Sequence, residues 1–180
     1  MEPDVPPPVG NTLDLLRVTV PGEPVAQGRG RAVNIPGVGI RVVDPAKSRN
    51  WKGTAQIHYL VALDVAVRRA PAFPAGVALD LHVVAVFTCP KSHHRKVPLP
   101  RRPKVGIPDA ENIAKAVQDA GNGILWHDDS QVVRLTVEKW YGAQGEAPGV
   151  HLMVRALAEA APARKAATSS DLFAAAERRA

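Results

Sequence analysis

The chain carries one cysteine, Cys89, in 180 residues. That excludes an internal disulfide and a cysteine zinc cluster. Cys89 closes an apolar run, which predicts a buried structural thiol. No apolar stretch approaches the roughly 20 residues that a membrane span requires. The opening segment, MEPDVPPPVGN, is acidic and proline-rich, without the basic and apolar regions of a secretory signal, so the reading is a cytoplasmic protein. No phosphate loop of the form G-x-x-x-x-G-K-[ST] is present. His93 and His94 have no partner pair at zinc spacing and read as part of a basic loop. No internal repeat is found.

What is present is an apolar fraction of 46% and a net charge of +6. The first suits a single domain with a real core. The second favours a polyanionic partner. Residues 1–11 read as a disordered leader and 158–180 as an alanine-rich flexible tail. Between them, 12–157 reads as one domain. Alternation in 13–20 predicts a strand with Leu16, Val18 and Val20 on one side. Residues 24–47 read as a long loop with a short strand at GIRVV. Helical spacing follows over about 48–69, with Trp51, Ala55, Tyr59 and Ala62 joined by Ile57, Val61 and Val65 in a broad apolar face, until Pro71. Residues 77–89 alternate clearly, and Val84 and Val86 on the second face predict a central strand covered on both sides. A proline-rich basic loop spans 90–108. A helix over about 110–120 buries Ile113, Ala116, Val117 and Ala120, with Gly121 as its stop. Strand 131–140 is expected to bury Val133, Leu135 and Val137, and 149–157 is a last strand. The order β, α, β, α, β, β predicts an α/β (α+β) domain: a mixed sheet with two main helices packed on it.

The densest polar pattern lies in 104–139. Asp109 opens the second helix after Pro108, Glu111 falls in its first turn, and Lys115 lies four residues later on the same face. Asp128 and Asp129 arrive before the next strand. Singly, each has an ordinary reading: an N-cap, a surface ion pair, a turn. Taken together they fit a different chemistry. Phosphodiester cleavage needs charge neutralised in the transition state and a water activated. Mg²⁺ does both while bound by a few carboxylate oxygens. Three carboxylates and a lysine supply such a cage and its electrostatic partner.

The order and spacing resemble the RusA-type Holliday junction resolvases. That family carries a proline–aspartate pair, Asp-Asn-Leu, a lysine, an aspartate, a glycine, Asp-Asp-x-Gln-Val and a strand-end lysine. Here stand Pro108-Asp109, Glu111-Asn112-Ile113, Lys115, Asp119, Gly123, Asp128-Asp129-Ser130-Gln131-Val132 and Lys139. Upstream, Gly22-Glu23-Pro24 and Arg29-Gly30-Arg31 match the family's Gly-x-Pro and Arg-x-Arg, and the resemblance covers 13–157. It implies a homodimeric nuclease that binds branched DNA and nicks two strands of a four-way junction with Mg²⁺, Mn²⁺ being the other candidate ion, in recombination and repair near the nucleoid. By position, Asp109, Glu111 and Asp129 would be metal ligands, Lys115 a catalytic lysine and Asp128 a helper at the metal. Glu111 departs from the family's aspartate. It keeps two oxygens but displaces them by about a methylene, which leaves a junction-binding module without nuclease activity as the alternative.

The loop 91–104, KSHHRKVPLPRRPK, contains no acid and runs into Asp109. Lys91, Arg95, Lys96, Arg101, Arg102 and Lys104, with Lys139, Arg29 and Arg31, are the expected contacts to DNA backbone. Lys47, Arg49 and Lys52 extend the second basic surface. His127 reads as a turn histidine, and Trp126 and Trp140 as core aromatics rather than base-stacking ones. Asp171-Leu172-Phe173 looks like part of the bacterial sliding-clamp pentapeptide, against the ordinary reading of a short helix in a frayed tail.

Overall fold

A computed structural model describes residues 15–63 and 71–157. The first strand, β1 (Leu15–Pro21), buries Leu16, Val18 and Val20 and exposes Arg17 and Thr19, as its alternation requires. Next come β2 (Arg31–Ile35) and β3 (Gly39–Val43), a separate antiparallel hairpin. The expected loop 24–47 thus contains two strands. GIRVV is β3. Its partner was not legible, because nearly every residue of this hairpin is exposed and no buried face imposes a pattern.

Helix α1 (Ala46–Ala62) buries Ser48, Trp51, Ala55 and Tyr59, a stripe at helical spacing. Its apolar face is narrower than predicted. Ile57 and Val61 are 62% and 72% exposed, and Ala62 is exposed as well. Ile57 lies two residues from both Ala55 and Tyr59, which turns it to the opposite side of the helix. Val65 and the expected continuation of the helix lie outside the described residues.

The remaining strands are β4 (Leu79–Phe87), the two-residue β5 (Arg102–Pro103), β6 (Val132–Tyr141) and β7 (Gly149–Ala156). They join β1 in a five-stranded sheet of order β1-β7-β4-β6-β5. β4 pairs with β6 in parallel, and the other pairings are antiparallel. The crossover between β4 and β6 carries α2 (Ala110–Gly121), which buries Ile113, Ala116, Val117 and Ala120 as expected. The mixed five-stranded sheet with two helices is the predicted fold class.

Leu81, Val83 and Ala85 of β4 are fully buried beneath the helices, in register with Val154, Leu152 and Val150 of β7. Each such leucine or valine contributes about 1.5–3 kcal/mol by leaving water. The second face of β4 is covered only in part. Val86 is buried where the turn at Gly142 and Glu146 packs on it, while Val84 stays half-exposed among polar neighbours.

β6 departs most from expectation. Val133 is 63% exposed and Leu135 43%, with Val137 half-buried. The strand lies beyond β4 toward the sheet edge, and helix does not cover its first half. Cys89 is half-buried rather than buried, because β4 has already ended at Phe87. Gly121 is not a left-handed helix stop either. The positive φ of 76° belongs to Gly123, whereas Gly121 is required by contact. A Cβ there would stand 2.4 Å from the ring of Trp126, which is fully buried. Gly121→Ala should therefore cost about 1–3 kcal/mol, read as a lower urea midpoint with unchanged slope. Wild-type stability in that variant would remove the contact as the reason for glycine.

Candidate functional site

Asp109 occupies the N-cap of α2 in extended backbone, yet its side chain makes no capping hydrogen bond. The ordinary role of an aspartate at this position is therefore unfilled. Glu111 and Lys115 are exposed one turn apart, and neither joins an ion pair among the described residues. Two carboxylates and an ammonium thus stand on the solvent side of the first turns. The helix's own unsatisfied N–H groups add partial positive charge there.

The segment feeding Asp109 is held by two lysines. Lys139 on β6 donates from Nζ to the carbonyls of Gly106 and Pro108, both at 2.7 Å. Lys104 donates to the Ile107 carbonyl at 2.6 Å, with its ammonium 4.9 Å from the Phe87 ring centre and 5.0 Å from that of Tyr141. Both residues, expected as DNA contacts, are engaged with the backbone that presents Asp109. Their spacing from the acidic motif in sequence gave no sign of this tie.

The Gly-x-Pro segment packs alongside. Gln27 N donates to the Asn112 carbonyl of α2 at 2.7 Å, and Gly28 N donates to the Ser48 hydroxyl at 2.9 Å. Gly28 is again a contact glycine, since a Cβ would stand 2.7 Å from the Pro45 ring. Behind this segment runs a network not foreseen from sequence. Lys52 bridges Asp44 at 2.5 Å and Asp119 at 3.5 Å, and Gln27 donates to Asp44 at 2.9 Å. The Lys52 hydrogen bond, then that of Gln27, holds the Asp44 carboxyl below its ordinary range. Gln27, Asp44 and Asp119 of this network line, together with Arg29 and Lys115, a cavity of about 370 Å³. A neighbouring cavity of 510 Å³, sharing Gly28, is lined by Lys47, Lys104, Ile107 and Pro108.

Asp129 opens a one-turn 3₁₀ helix, Asp129–Gln131, ahead of β6, and Asp128 is its N-cap. Asp128 has a local task. Its carboxylate accepts from Ser130 N at 2.9 Å, and the Gln131 side chain accepts from the backbone of His127 and Asp128. The Ser130 contact lowers the Asp128 pKa. Asp129 is half-exposed and takes no such role. His127 is an exposed turn residue, and Trp126 is core, donating to Asn122 at 2.8 Å. Trp140 is half-exposed and donates to Glu138 at 2.7 Å. Among the described residues no three His, Cys, Asp or Glu side chains converge to hold one metal ion. Asp109, Glu111 and Lys115 lie at the start and in the first turns of α2, whereas Asp128 and Asp129 follow the other end of that helix, ahead of β6.

The expected basic surface is uneven. Lys91, Lys96, Arg102, Arg29 and Arg31 are exposed and outside every ion pair among the described residues, as are Lys47 and Arg49. Arg95 folds back on the carbonyls of Ser92 and His94. Arg101 is clamped by Glu146, with Nε 2.8 Å from one carboxylate oxygen. The clamp-like tail segment lies outside the described residues, and no described helix is long and apolar enough to cross a membrane.

An uncapped acidic helix start, a lysine one turn on and open cations on both flanks are the arrangement of a protein that handles nucleic acid. Comparison with known proteins agrees. Residues 21–155 match the family model described as endodeoxyribonuclease RusA. The chain belongs to the RusA endodeoxyribonuclease family. It is also 36% identical over 150 residues to the uncharacterized protein YqaN of Bacillus subtilis strain 168, covering 79% of this chain and 97% of that protein.

The capping role of Asp128 is separable from a metal role. Asp128→Ala should lower the melting temperature, and Asp128→Asn, which keeps an acceptor oxygen, should restore most of it. Because the folded-state pKa is lowered, the contribution of this carboxylate is present above the ordinary aspartate value of 3.8 and fades as pH falls through the lowered one. Equal melting temperatures for wild type and Asp128→Ala at neutral pH would remove the cap.

Proposed function

We propose that this RusA-family protein is a Mg²⁺-dependent, structure-selective endodeoxyribonuclease that resolves four-way DNA junctions by paired nicks, acting as a dimer in recombination and repair. The observation that carries this reading is the Asp109 carboxylate, left without its capping bond beside Glu111 and Lys115. Asp109, Glu111 and Asp129 are the proposed ligands of Mg²⁺, with Mn²⁺ as a substitute and Asp128 as a helper. The bound cation would supply an activated water and neutralise charge on the phosphate. In a single chain these donors do not converge, so no step is routed through the ion.

The chain's own groups perform the rest. Lys115, free of any partner carboxylate among the described residues, directs its ammonium at a non-bridging phosphate oxygen. The first N–H groups of α2 favour the same anion. Lys104 and Lys139 hold the backbone of 106–108, so that Asp109 does not drift as DNA approaches. Arg29, Arg31, Lys91, Lys96 and Arg102 contact phosphates without reading bases, which suits recognition of shape over sequence.

Three outcomes test this reading. Purified protein should nick a synthetic four-way junction in Mg²⁺ and leave linear duplex largely intact. Equal cutting of both would remove structure selectivity, and junction binding without cutting in Mg²⁺ or Mn²⁺ would make the protein a binding module. Asp109→Asn and Asp129→Asn should each abolish cutting while gel-shift binding persists, since phosphate contacts come from other residues. Glu111→Gln should lose most cutting, and Glu111→Asp should keep it or shift the Mg²⁺/Mn²⁺ preference. If Glu111 serves only the helix dipole, Glu111→Gln would instead cut normally and cost about 0.3–1 kcal/mol of stability.

A further inference from the structure

The hairpin β2–β3 stands outside the five-stranded sheet, and every residue from 31 to 42 is exposed. It is nonetheless rich in aliphatic side chains. Val33, Ile35, Val38, Ile40 and Val42 all face water, with Val38 55% and Ile40 77% exposed. Two strands alone are marginal in water, so these side chains do little for the hairpin's own stability. Apolar groups clustered in this way mark a surface that meets a partner.

The charge of the segment says which partner. From Pro24 to Val43 there is no acidic residue, and the cations are Arg29, Arg31 and Arg41. None of the three joins an ion pair among the described residues. Arg31 pairs with Val43 and Arg41 with Val33, which puts Arg31 and Arg41 on one face of the hairpin. Packed through that face on a second copy, arginine would meet arginine. A polyanion is the natural complement.

The hairpin is aimed by its base and shaped by its turn. Asp44, just beyond β3, is held by Lys52 and Gln27. Arg29, Gly30 and Val42 at the base line one cavity with Lys115. From there the register runs to the Ile35–Gly39 pair, about 14 Å along the strands. That exceeds the depth of the DNA major groove, roughly 8.5 Å, so the tip reaches the base pairs. At the tip, Val38 N donates to the Ile35 carbonyl at 3.0 Å around Pro36–Gly37, and Gly37 has a φ of 78°. Proline followed by a left-handed glycine is the pattern of a type II turn.

Ile35, Pro36, Val38 and Ile40 crowd that turn, and none has a side-chain donor or acceptor. Base edges in a groove are read by hydrogen bonds, for which this tip is unequipped. An aliphatic tip suits the flat face of a base instead. A continuous duplex hides those faces by stacking, and a branch point uncovers them. Isoleucine and proline are among the wedges that proteins insert between base steps.

Resting on the reading above of branched DNA as the substrate, we propose that β2–β3 is the element that recognises the branch point, with Arg31 and Arg41 on phosphates and the tip at Ile35, Pro36, Val38 and Ile40 packed on base faces uncovered where strands exchange. The hairpin then lends the molecule selectivity for DNA shape, while Lys115 at its base stays beside the backbone to be cut.

Binding is measured in buffer without divalent ions, so that no cutting enters. Val38→Ser combined with Ile40→Ser, with the fold checked by circular dichroism, removes two exposed aliphatic side chains. It should weaken binding to a synthetic four-way junction about tenfold or more, through lost burial on the bases. Binding to linear duplex, which rests on phosphate contacts, should stay within about twofold. Photoreactive p-benzoylphenylalanine in place of Val38 should crosslink to nucleotides next to the branch point. Arg31→Gln combined with Arg41→Gln should weaken binding to both DNAs and reduce the slope of log affinity against log salt by about 1.8.

Unchanged junction binding in the serine variant, equal weakening on junction and duplex, or crosslinks spread along the duplex arms would each overturn the branch role. An unchanged salt slope overturns the phosphate contacts. A lower mass for the serine variant by light scattering makes the hairpin a contact between copies and overturns the proposal as well. If wild type shows the expected binding and crosslinks but cuts no junction in Mg²⁺, the nuclease reading falls and this one stands.

Discussion

The seating of α2 on the parallel pair β4–β6 is the constraint from which the rest of the molecule follows. Ile113, Ala116, Val117 and Ala120, buried on the inner face of the helix, fix its rotation. Once that rotation is set, Glu111 and Lys115 have only the solvent side to occupy. The two ends are then secured by different means. At the C-terminal end Trp126 packs against Gly121, a contact that tolerates no side chain there. At the N-terminal end Lys139 and Lys104 hold the carbonyls of the loop that delivers Asp109. Packing positions the helix along its length, and hydrogen bonds position the one residue that packing cannot reach.

Charge is distributed with the same division. Most acids around the sheet have engaged partners: Asp44 and Asp119 with Lys52, Glu146 with Arg101, Glu138 with His82 and Trp140, Asp80 with Arg134. Such exposed and half-exposed pairs are worth little individually. The Lys52 pairs tie the segment at Asp44 to α2, the Arg101 pair ties the basic loop to the turn at Glu146, and the others join β4 to β6. Against that background, Asp109, Glu111 and Asp129 stand out because they lack a structural task. A carboxylate facing water loses nothing by waiting for a cation, the role proposed above for these three.

The sheet, the two helices and the acidic motif were legible in the sequence because each has a buried side or a tight spacing. β1, β4, β7 and α2 have one face against the core, and their apolar periods show it. The hairpin β2–β3 has no buried face and left only half a trace. Ile57, Val61, Val133 and Leu135 misled in the opposite direction. Their hydrophobicity fits the period of a buried face, yet among the described residues they stand exposed. Lys104 and Lys139 were legible as cations but not as anchors, because a backbone carbonyl leaves no mark on the residue types around it. The Lys52 network was missed for a related reason: its members come from three segments that only the fold brings together.

The exposed apolar residues of β6 are best understood together with its unpaired edge. Either feature alone is ordinary, since single apolar residues are common on surfaces and edge strands occur in every open sheet. Natural edges, however, are usually blunted by proline, by a bulge or by a covering loop. Here the one bulge-like irregularity, between Leu79 and Asp80, concerns the pairing with β4 and leaves the outer edge untouched. β5 stops after two residues, short of the stretch that needs cover.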